Sequence, residues 1–306
     1  MRDKPPVVEA TGLTKIFKNV RAIDNLTFRI EGRIAGLIGP NGSGKTTLLN
    51  IVLGLTKKDS GELAVLGEND PRRLVEEGKV SGMPESINPP EHFTGLDFLV
   101  KIAKMKGLSS PKEQAVKLLN QFSLVEAKDR MVSTYSAGMK QRLLVAQTLL
   151  GEPELVVLDE PTANLDPNGR IIICDAISSI SMETGTRFLI SSHLLFDLES
   201  ICDWLSFMHS GKLKENGPIQ EILNKYRGVI FRLKSTDPLR LKRLLSSINS
   251  VRSAFMIRDE LIVSVKNDEA LKKITNTAAQ AGVRIEEATE CTPTLDLIYR
   301  EVVSRP

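Results

Sequence analysis

The chain has 306 residues, of which 41% are hydrophobic and 26% charged, and its formal net charge is only +3. These values are typical of an ordinary globular protein with one large α/β domain and one small domain. The basic excess lies in residues 228–306, where 13 Lys and Arg stand against 10 Asp and Glu. This excess is too slight for a nucleic-acid footprint. It is compatible with a weakly basic face near a membrane or a partner, although a solvated surface is the simpler interpretation.

The sequence also argues against a transmembrane or secreted protein. No apolar run approaches the ~18 residues that would cross a bilayer, and the N-terminus lacks the apolar core of a signal peptide. The cysteines, Cys174, Cys202 and Cys291, are widely separated and form no CxxC pair. A disulfide framework or zinc site is therefore not expected, and a reducing cytoplasm is the natural setting.

The first elements predicted are two antiparallel strands, residues 7–17 and 26–30, joined by a polar turn. Leu26, Phe28 and Ile30 alternate with polar residues, which is typical of a half-buried strand. Phe17 lies near the tip of this hairpin. Two roles remain open for it, a core aromatic or a face on which adenine stacks.

The next segment, residues 34–53, carries the strongest motif of the chain. An apolar strand over 34–38 leads into a GxxxxGK[ST] loop, and a helix-like pattern follows, which is the context that a phosphate-binding loop requires. Glycines let backbone N–H groups converge on an anion at a helix N-terminus, Lys45 can reach the β- and γ-phosphates, and the Thr46 hydroxyl can hold Mg²⁺. The predicted nucleotide-binding residues here are Gly39, Pro40, Asn41, Gly42, Ser43, Gly44, Lys45, Thr46 and Thr47.

A helical stretch then interrupts the strands, and we assign residues 86–150 or so to a small helical subdomain. Within it, residues 135–142 begin a helix whose small residues leave backbone amides free at its N-terminus. Ser136 and Gly138 could therefore belong to a second anion-receptive site, and an ordinary N-cap by Ser136 explains the pattern equally well.

Two later strands end in groups that suit phosphate chemistry. Residues 155–158 are apolar and are followed by Asp159 and Glu160, of which the first suits Mg²⁺ and the second suits activation of a water molecule. Residues 186–192 predict another strand, and His193 follows it where a phosphate would lie.

In this order and at these spacings, the motifs resemble the ATP-binding domain of ABC transporters over residues 7–225. The resemblance implies a P-loop α/β fold with an antiparallel β subdomain and a helical subdomain. It also implies that Phe17 stacks on adenine, that Asp159 is the magnesium carboxylate, that Glu160 is the general base and that His193 contacts the γ-phosphate. The remaining nucleotide-contacting positions that it implies are Ser136 and Gly138 in the signature motif, Asp166 in the D-loop and Glu85 at the Q-loop position.

Because the signature motif binds ATP held by the opposite subunit in this family, the resemblance implies a head-to-tail homodimer with two shared ATP sites. It further implies ATP and Mg²⁺ as cofactors and a separate membrane-spanning permease as partner. The chain would then lie in the cytoplasm, peripheral on the inner face of the cell membrane, without inserting into it or binding nucleic acid. Two alternatives are a soluble ABC ATPase acting on a ribosome or nucleic acid, and a regulatory module that binds nucleotide without hydrolysis.

Two motifs depart from the usual family pattern. The signature motif has Ala137 and Met139 where glycine and glutamine are usual, and Glu85 replaces the Q-loop glutamine. A glutamate there could still bind Mg²⁺, but it would bring negative charge close to the γ-phosphate. These variants resemble the branch of the family that exports drugs, bacitracin, sodium or polysaccharides.

The C-terminal residues 228–306 fall outside the ATPase domain of 1–227. Their pattern predicts a β-α-β-β-α-β order, which is that of a small ferredoxin-like α+β domain. A final helix is expected with Thr292 as N-cap and Pro293 in its first turn.

Overall fold

The structure is a computed structural model that describes residues 5–84, 87–163, 165–193, 195–267 and 269–303. The chain divides into two compact units, one that ends at Pro218 and one that begins at Ile219. The sequence analysis placed this division nine residues later, after residue 227. Among the described residues, no helix is both long and apolar enough to cross a bilayer.

A three-stranded antiparallel sheet begins the first unit. It contains β1 (Val8–Phe17), β2 (Val20–Ile30) and β4 (Ser60–Val65) in the order β2-β1-β4. The β1–β2 hairpin turns at Lys18, whose φ of 52° is in the left-handed region. Phe17 and Val20 are partners at its tip. The N-terminal hairpin of the sequence analysis is therefore confirmed, with a second strand that begins earlier than expected.

The central sheet has six strands in the order β5-β6-β7-β3-β8-β9. Its members are β3 (Ile34–Ile38), β5 (Val80–Met83), β6 (Leu155–Asp159), β7 (Arg187–Ser192), β8 (Trp204–His209) and β9 (Lys212–Pro218). The first five are parallel and β9 pairs antiparallel with β8. Strands β3, β6 and β7 are buried along their whole length, which explains their continuous apolar runs. Their carboxyl ends lie side by side, because Asp159 pairs with Ser191 and Ile38 with Ser192.

Seven helices of the first unit surround these sheets within the described ranges. They are α1 (Lys45–Val52), α2 (Pro71–Glu76), α3 (Gly95–Met105), α4 (Pro111–Gln121), α5 (Ala137–Thr148), α6 (Pro167–Thr184) and α7 (Leu195–Ile201). Two short 3₁₀ turns, Val125–Ala127 and Val132–Thr134, precede α5. Helix α1 is buried in one hydrophobic cluster that also contains residues of the antiparallel sheet and of β6. The helix that follows the phosphate loop is thereby held against both sheets.

The second unit has the ferredoxin-like order that the sequence predicts. After α8 (Ile219–Lys225) it contains β10 (Ile230–Ser235), α9 (Pro238–Leu245), β11 (Val251–Ile257), β12 (Glu260–Val265), α10 (Glu269–Gln280), β13 (Ile285–Glu290) and α11 (Leu295–Val303). The sheet is antiparallel in the order β11-β12-β10-β13. The expected N-cap Thr292 is wrong: α11 begins at Leu295, and the Thr294 hydroxyl accepts a hydrogen bond from the Leu297 amide at 3.4 Å.

Candidate functional site

The phosphate loop connects β3 to α1, and close backbone contacts determine its shape. A Cβ at Gly39 would lie 2.4 Å from the Met208 carbonyl oxygen, so no side chain fits there. Gly44 has a φ of +105°, and a Cβ at this position would lie 2.3 Å from the Ala22 carbonyl oxygen. These two glycines allow the loop to pack tightly against the neighbouring strands.

Lys45, the first residue of α1, is only 5% exposed and folds back onto the loop. Its Nζ donates a hydrogen bond to the Gly39 carbonyl at 2.7 Å and a longer one to the Pro40 carbonyl at 3.4 Å. The ammonium group therefore lies at the mouth of the loop, at the N-terminus of α1, where the helix dipole also favours an anion.

The two acids at the end of β6 have different surroundings. Asp159 is 3% exposed; its Oδ1 accepts a short hydrogen bond from the Ser191 hydroxyl, and its Oδ2 is buried without a hydrogen-bond partner among the described residues. Glu160 lies in the left-handed region with a φ of 50°, and its amide donates to the Ser191 hydroxyl at 2.9 Å. Because of this turn, the Asp159 carboxylate faces Ser191, whereas the Glu160 carboxylate faces His193.

The Glu160 carboxylate connects the phosphate loop with the end of β7. Its Oε2 lies 2.8 Å from Nδ1 of His193 and accepts the His193 amide at 3.3 Å. Its Oε1 lies 3.7 Å from Nζ of Lys45. Glu160 is nearly buried, whereas the His193 side chain is about half exposed. A cation, a carboxylate and an imidazole thus converge on one point, as the sequence predicts for the ends of adjacent parallel strands.

An open cleft of about 470 Å³ lies over this point. Its lining residues are Val20, Ala22, Asn41, Gly42, Ser43, Gly44, Lys45, Thr46, Thr47 and Glu160. Phe17 is not among them, but it is the strand partner of Val20, which is. The Phe17 side chain is 47% exposed, so the alternative that it is a core aromatic is wrong. Its role in adenine binding stays a prediction.

Metal binding can be tested against this donor set. Magnesium prefers hard oxygen ligands at close to octahedral geometry and is commonly held by one or two carboxylates together with substrate phosphates. The unpartnered Oδ2 of Asp159 is such an oxygen, and the exposed Thr46 hydroxyl lines the cleft. The residues present therefore fit a magnesium ion.

The second predicted anion site, at the start of α5, has a different character. Ser136 is the exposed N-cap, and its hydroxyl accepts the Met139 amide at 3.2 Å. Gly138 follows in the first turn, and a Cβ there would make only ordinary contact with Leu165 at 3.4 Å. The N-cap function of Ser136 is thus observed, while its nucleotide contact stays a prediction.

Tyr135 stands immediately before this helix start and is buried. Its hydroxyl donates to the Ala127 carbonyl at 2.7 Å, and burial raises the pKa of its phenol above the ordinary value. The hydroxyl also lies 2.2 Å from the position of a Cβ at Gly95, the first residue of α3, so only glycine fits there. The signature motif is therefore packed directly against α3.

Of the two remaining predicted residues, Asp166 is among the residues that the structure describes and Glu85 is not. Asp166 N-caps α6 by accepting the Gly169 amide at 2.9 Å, and its contact with nucleotide stays a prediction. Glu85, together with Asn164 in the predicted D-loop, lies outside the described residues.

Sequence reasoning missed Ser191. Its hydroxyl bonds both the Asp159 carboxylate and the Glu160 amide, so it orients the whole acidic turn. A serine inside an apolar strand carries little signal by itself. The available clue was that β6 and β7 are neighbouring parallel strands, which puts Ser191 beside Asp159 in register.

Comparisons with known proteins identify the family to which the chain belongs. A family profile described as ABC transporter matches residues 23–163, and one described as ATP-binding protein DrrA1-3-like, C-terminal domain, matches residues 217–303. The chain is 31% identical over 299 residues to the bacitracin transport ATP-binding protein BcrA of Enterococcus faecalis, covering 97% of the chain and 96% of that protein. It is 30% identical over 249 residues to the daunorubicin/doxorubicin resistance ATP-binding protein DrrA of Streptomyces peucetius, covering 78% and 74% of the respective chains.

A solved structure of an ATP binding subunit of an ABC transporter superposes with a TM-score of 0.63 at 25% identity, covering 72% of this chain and 93% of that one. The chain therefore belongs to the ATP-binding proteins of ABC transporters. It is an ATPase whose hydrolysis of ATP drives transport through a membrane partner. The resemblance, the fold class and the ATPase activity expected from the sequence are confirmed.

Proposed function

We propose that this chain is the Mg²⁺-dependent ATPase of an exporter. Relatives that are about one third identical are named for bacitracin transport, for daunorubicin/doxorubicin resistance and for Nod factor export. Their names support outward transport as the direction. In the proposed assembly two copies act head to tail beneath a membrane-spanning permease, on the cytoplasmic face of the cell membrane.

The phosphate loop holds the triphosphate in this mechanism. Residues of the loop and of the α1 N-terminus line the cleft; a helix N-terminus favours an anion, and Lys45 supplies the positive charge for the β- and γ-phosphates. Ala22 and Val20 form the wall of the cleft, and Phe17 extends this wall toward the adenine ring. Asp159 and Thr46 would hold Mg²⁺, which would neutralise charge on the phosphate oxygens.

The observation that carries the assignment of the base is the position of the Glu160 carboxylate between Lys45 and His193. When the γ-phosphate takes the Lys45 ammonium, Glu160 loses one of its two partners and is free to accept a proton from a water molecule. His193 then supports the phosphate or the carboxylate from the exposed side of the cleft. Ser191 keeps the turn in place, because it bonds both acids.

The proposed dimer follows from the second anion site. Ser136 and Ala137 at the start of α5 are exposed, Gly138 is partly exposed, and none of these three residues lines the phosphate-loop cleft. A triphosphate held by one copy would therefore meet them on a second copy. This arrangement gives both helix starts an anion to bind.

Replacing Glu160 with glutamine tests the base directly. The variant keeps the shape of the side chain but removes the basic oxygen, so we expect ATP turnover to fall at least about 100-fold while ATP binding is retained. Glu154→Gln is the matched control, because Glu154 is an exposed acid at the opposite end of the same strand region. The control is expected to keep normal turnover.

The same variant tests the dimer. With turnover stopped, we expect ATP and Mg²⁺ to hold Glu160→Gln as a dimer in size-exclusion chromatography, and EDTA to return it to monomer. Unchanged ATPase activity in this variant would overturn the role of Glu160. A variant that binds ATP but stays monomeric at all concentrations would overturn the head-to-tail arrangement.

A further inference from the structure

The sheet of the C-terminal unit carries helices on both faces, and the two faces differ. Helices α9 and α10 bury Leu241, Leu245 and Ile274 in one hydrophobic cluster with Leu233 and the apolar residues of β12. Helix α11 lies on the opposite face, because Glu301 is bonded to the hydroxyl of Ser264, which alternates with the core residues of β12. The outer surface of α9 and α10 therefore belongs to one side of the domain.

That outer surface is basic. Five cationic side chains are exposed on it, three from α9 and two from α10: Arg240, Lys242, Arg243, Lys272 and Lys273. Within the described part of the chain, none of the five forms an ion pair within 4 Å. The acid at the start of α9, Asp237, is occupied as its N-cap and accepts the Arg240 amide at 2.9 Å. We call these five residues the basic helical face.

One acid, Glu269, is exposed in the first turn of α10, so the five cations outnumber it on these two helices. Other acids of the same unit lie on β13 and α11. Strand β13, at the edge of the sheet, exposes Glu286, Glu287 and Glu290. On α11, Asp296 is paired with Arg300 at 2.9 Å. The slight basic excess of residues 228–306 therefore understates the local field, since positive charge is gathered on one side of the domain.

One apolar side chain accompanies the cations. Leu239, in the first turn of α9, is 63% exposed beside Arg240. Helices α9 and α10 lie side by side on the sheet, and the cations that they carry are long and flexible. Such a surface suits a flat anionic partner better than a peptide that needs a groove.

We propose that the basic helical face binds the surface of a membrane that contains anionic phospholipids. The cations lie at the headgroup level, and Leu239 dips into the boundary between headgroups and acyl chains. Binding is peripheral, with no spanning segment. This proposal goes beyond ATP hydrolysis; it takes from the proposed function only the location beside the inner face of the membrane.

Flotation of the full chain with lipid vesicles tests the proposal. We expect binding to vesicles of phosphatidylglycerol and phosphatidylcholine, little binding to phosphatidylcholine alone, and loss of binding at 1 M salt, where the screening length is only about 3 Å. A Lys or Arg near an anionic surface contributes roughly fivefold to partitioning, so the combined variant Arg240→Gln, Lys242→Gln, Arg243→Gln should bind about 100-fold more weakly.

A charge-matched control separates position from net charge. Lys234 in β10, Arg258 in the turn between β11 and β12, and Lys266 in the bend after β12 are exposed cations of the same unit outside α9 and α10. Their combined replacement with glutamine should leave vesicle binding within about twofold of the original. Leu239→Ser should weaken it several-fold at low salt and abolish what remains at moderate salt.

Several results would overturn the proposal. Failure of the unaltered chain to float with anionic vesicles, or equal loss in the control variant, would do so. Retention on immobilised polyglutamate without vesicle binding would assign the face to an acidic polypeptide instead. ATPase activity measured on each variant, together with circular dichroism, shows that the fold is intact, and a failure of Glu160→Gln to stop turnover would leave this test unaffected.

Discussion

The sequence predicts phosphate binding at two helix starts, α1 and α5, and the structure builds them differently. At α1 the loop is tightly packed, Lys45 is buried, and Glu160 and His193 converge on the same point. At α5 the helix start is exposed, and the Ser136 hydroxyl is engaged with its own helix.

We infer from this contrast that the two helix starts have different functions in nucleotide binding. The first helix start has a buried cation, a closely packed loop and a carboxylate within one chain, so we expect it to bind a nucleotide without a second copy. At the second, the Ser136 hydroxyl caps the helix, and the nearby Lys140 pairs with Glu91 at 2.5 Å. In the proposed dimer, the phosphate that this helix start binds is held by the other copy.

Replacing one glycine with alanine at each helix start is expected to show the largest difference in stability and ATP binding between α1 and α5. In Gly44→Ala the left-handed backbone alone costs about 1–3 kcal/mol, and the clash with the Ala22 carbonyl adds to it. We expect a lower free energy of unfolding in urea titration and no measurable ATP binding in calorimetry.

Gly138→Ala is the counterpart at α5. Because the new Cβ makes only ordinary contact and the backbone is helical, we expect stability to be kept or to rise by about 0.5 kcal/mol, with normal ATP binding by the single chain. Turnover should fall, since the methyl group occupies the space for a phosphate held by the other copy. Weak ATP binding in Gly138→Ala would contradict the expectation that only the α1 start binds ATP within a single chain.

Removing the Ser136 hydroxyl should have the next largest effect. Ser136→Ala loses a helix cap, at a cost of about 1 kcal/mol in stability, and in the proposed dimer also loses a hydrogen bond to a charged phosphate, which lowers turnover about tenfold or more. Binding of ATP to the single chain should not change. Thermal unfolding, calorimetry and ATPase assays measure these three quantities.

Thr94→Ala is the control for this experiment. Thr94 caps α3 through a hydrogen bond from the Asp97 amide at 3.0 Å, so its loss should cost a similar amount of stability. Its turnover should stay within about twofold of the original. If both variants lose turnover alike, Ser136 acts only as a cap.

The smallest effect is expected at the adenine end of the cleft. Loss of a stacked aromatic is worth about 0.5–1.5 kcal/mol, so Phe17→Ala should weaken ATP binding roughly twofold to tenfold. Ile16→Ala is the control, because Ile16 is a neighbouring exposed apolar residue that lines a different cleft. Equal affinity in the two variants would remove Phe17 from the site.

The phosphate loop could be predicted from sequence because its requirements are local. Gly44 needs a backbone that only glycine adopts easily, and Lys45 follows at a set spacing. The meeting of Glu160 with His193 could also be predicted, since parallel strands end on the same edge of a sheet. The element order of the second unit was predictable from its alternating strand and helix patterns.

Other features depend on packing that the sequence does not display. Ser191 becomes important only through the register of β6 against β7, and the true cap of α11 is two residues later than its most favourable-looking threonine. Whether Phe17 is core or surface depends on which face of a bulged hairpin is covered. The basic helical face is hidden in a sequence whose total charge is nearly balanced.

Tyr135 has a mechanical consequence. Its ring packs against Gly95, and its hydroxyl donates a hydrogen bond to the Ala127 carbonyl. The start of α3 is therefore in direct contact with the residue that precedes the N-cap of α5. We therefore expect a displacement of the start of α3 to move Tyr135, and with it the neighbouring Ser136. In the proposed dimer, Tyr135 would thus connect α3 with the residues that contact the ATP held by the other copy.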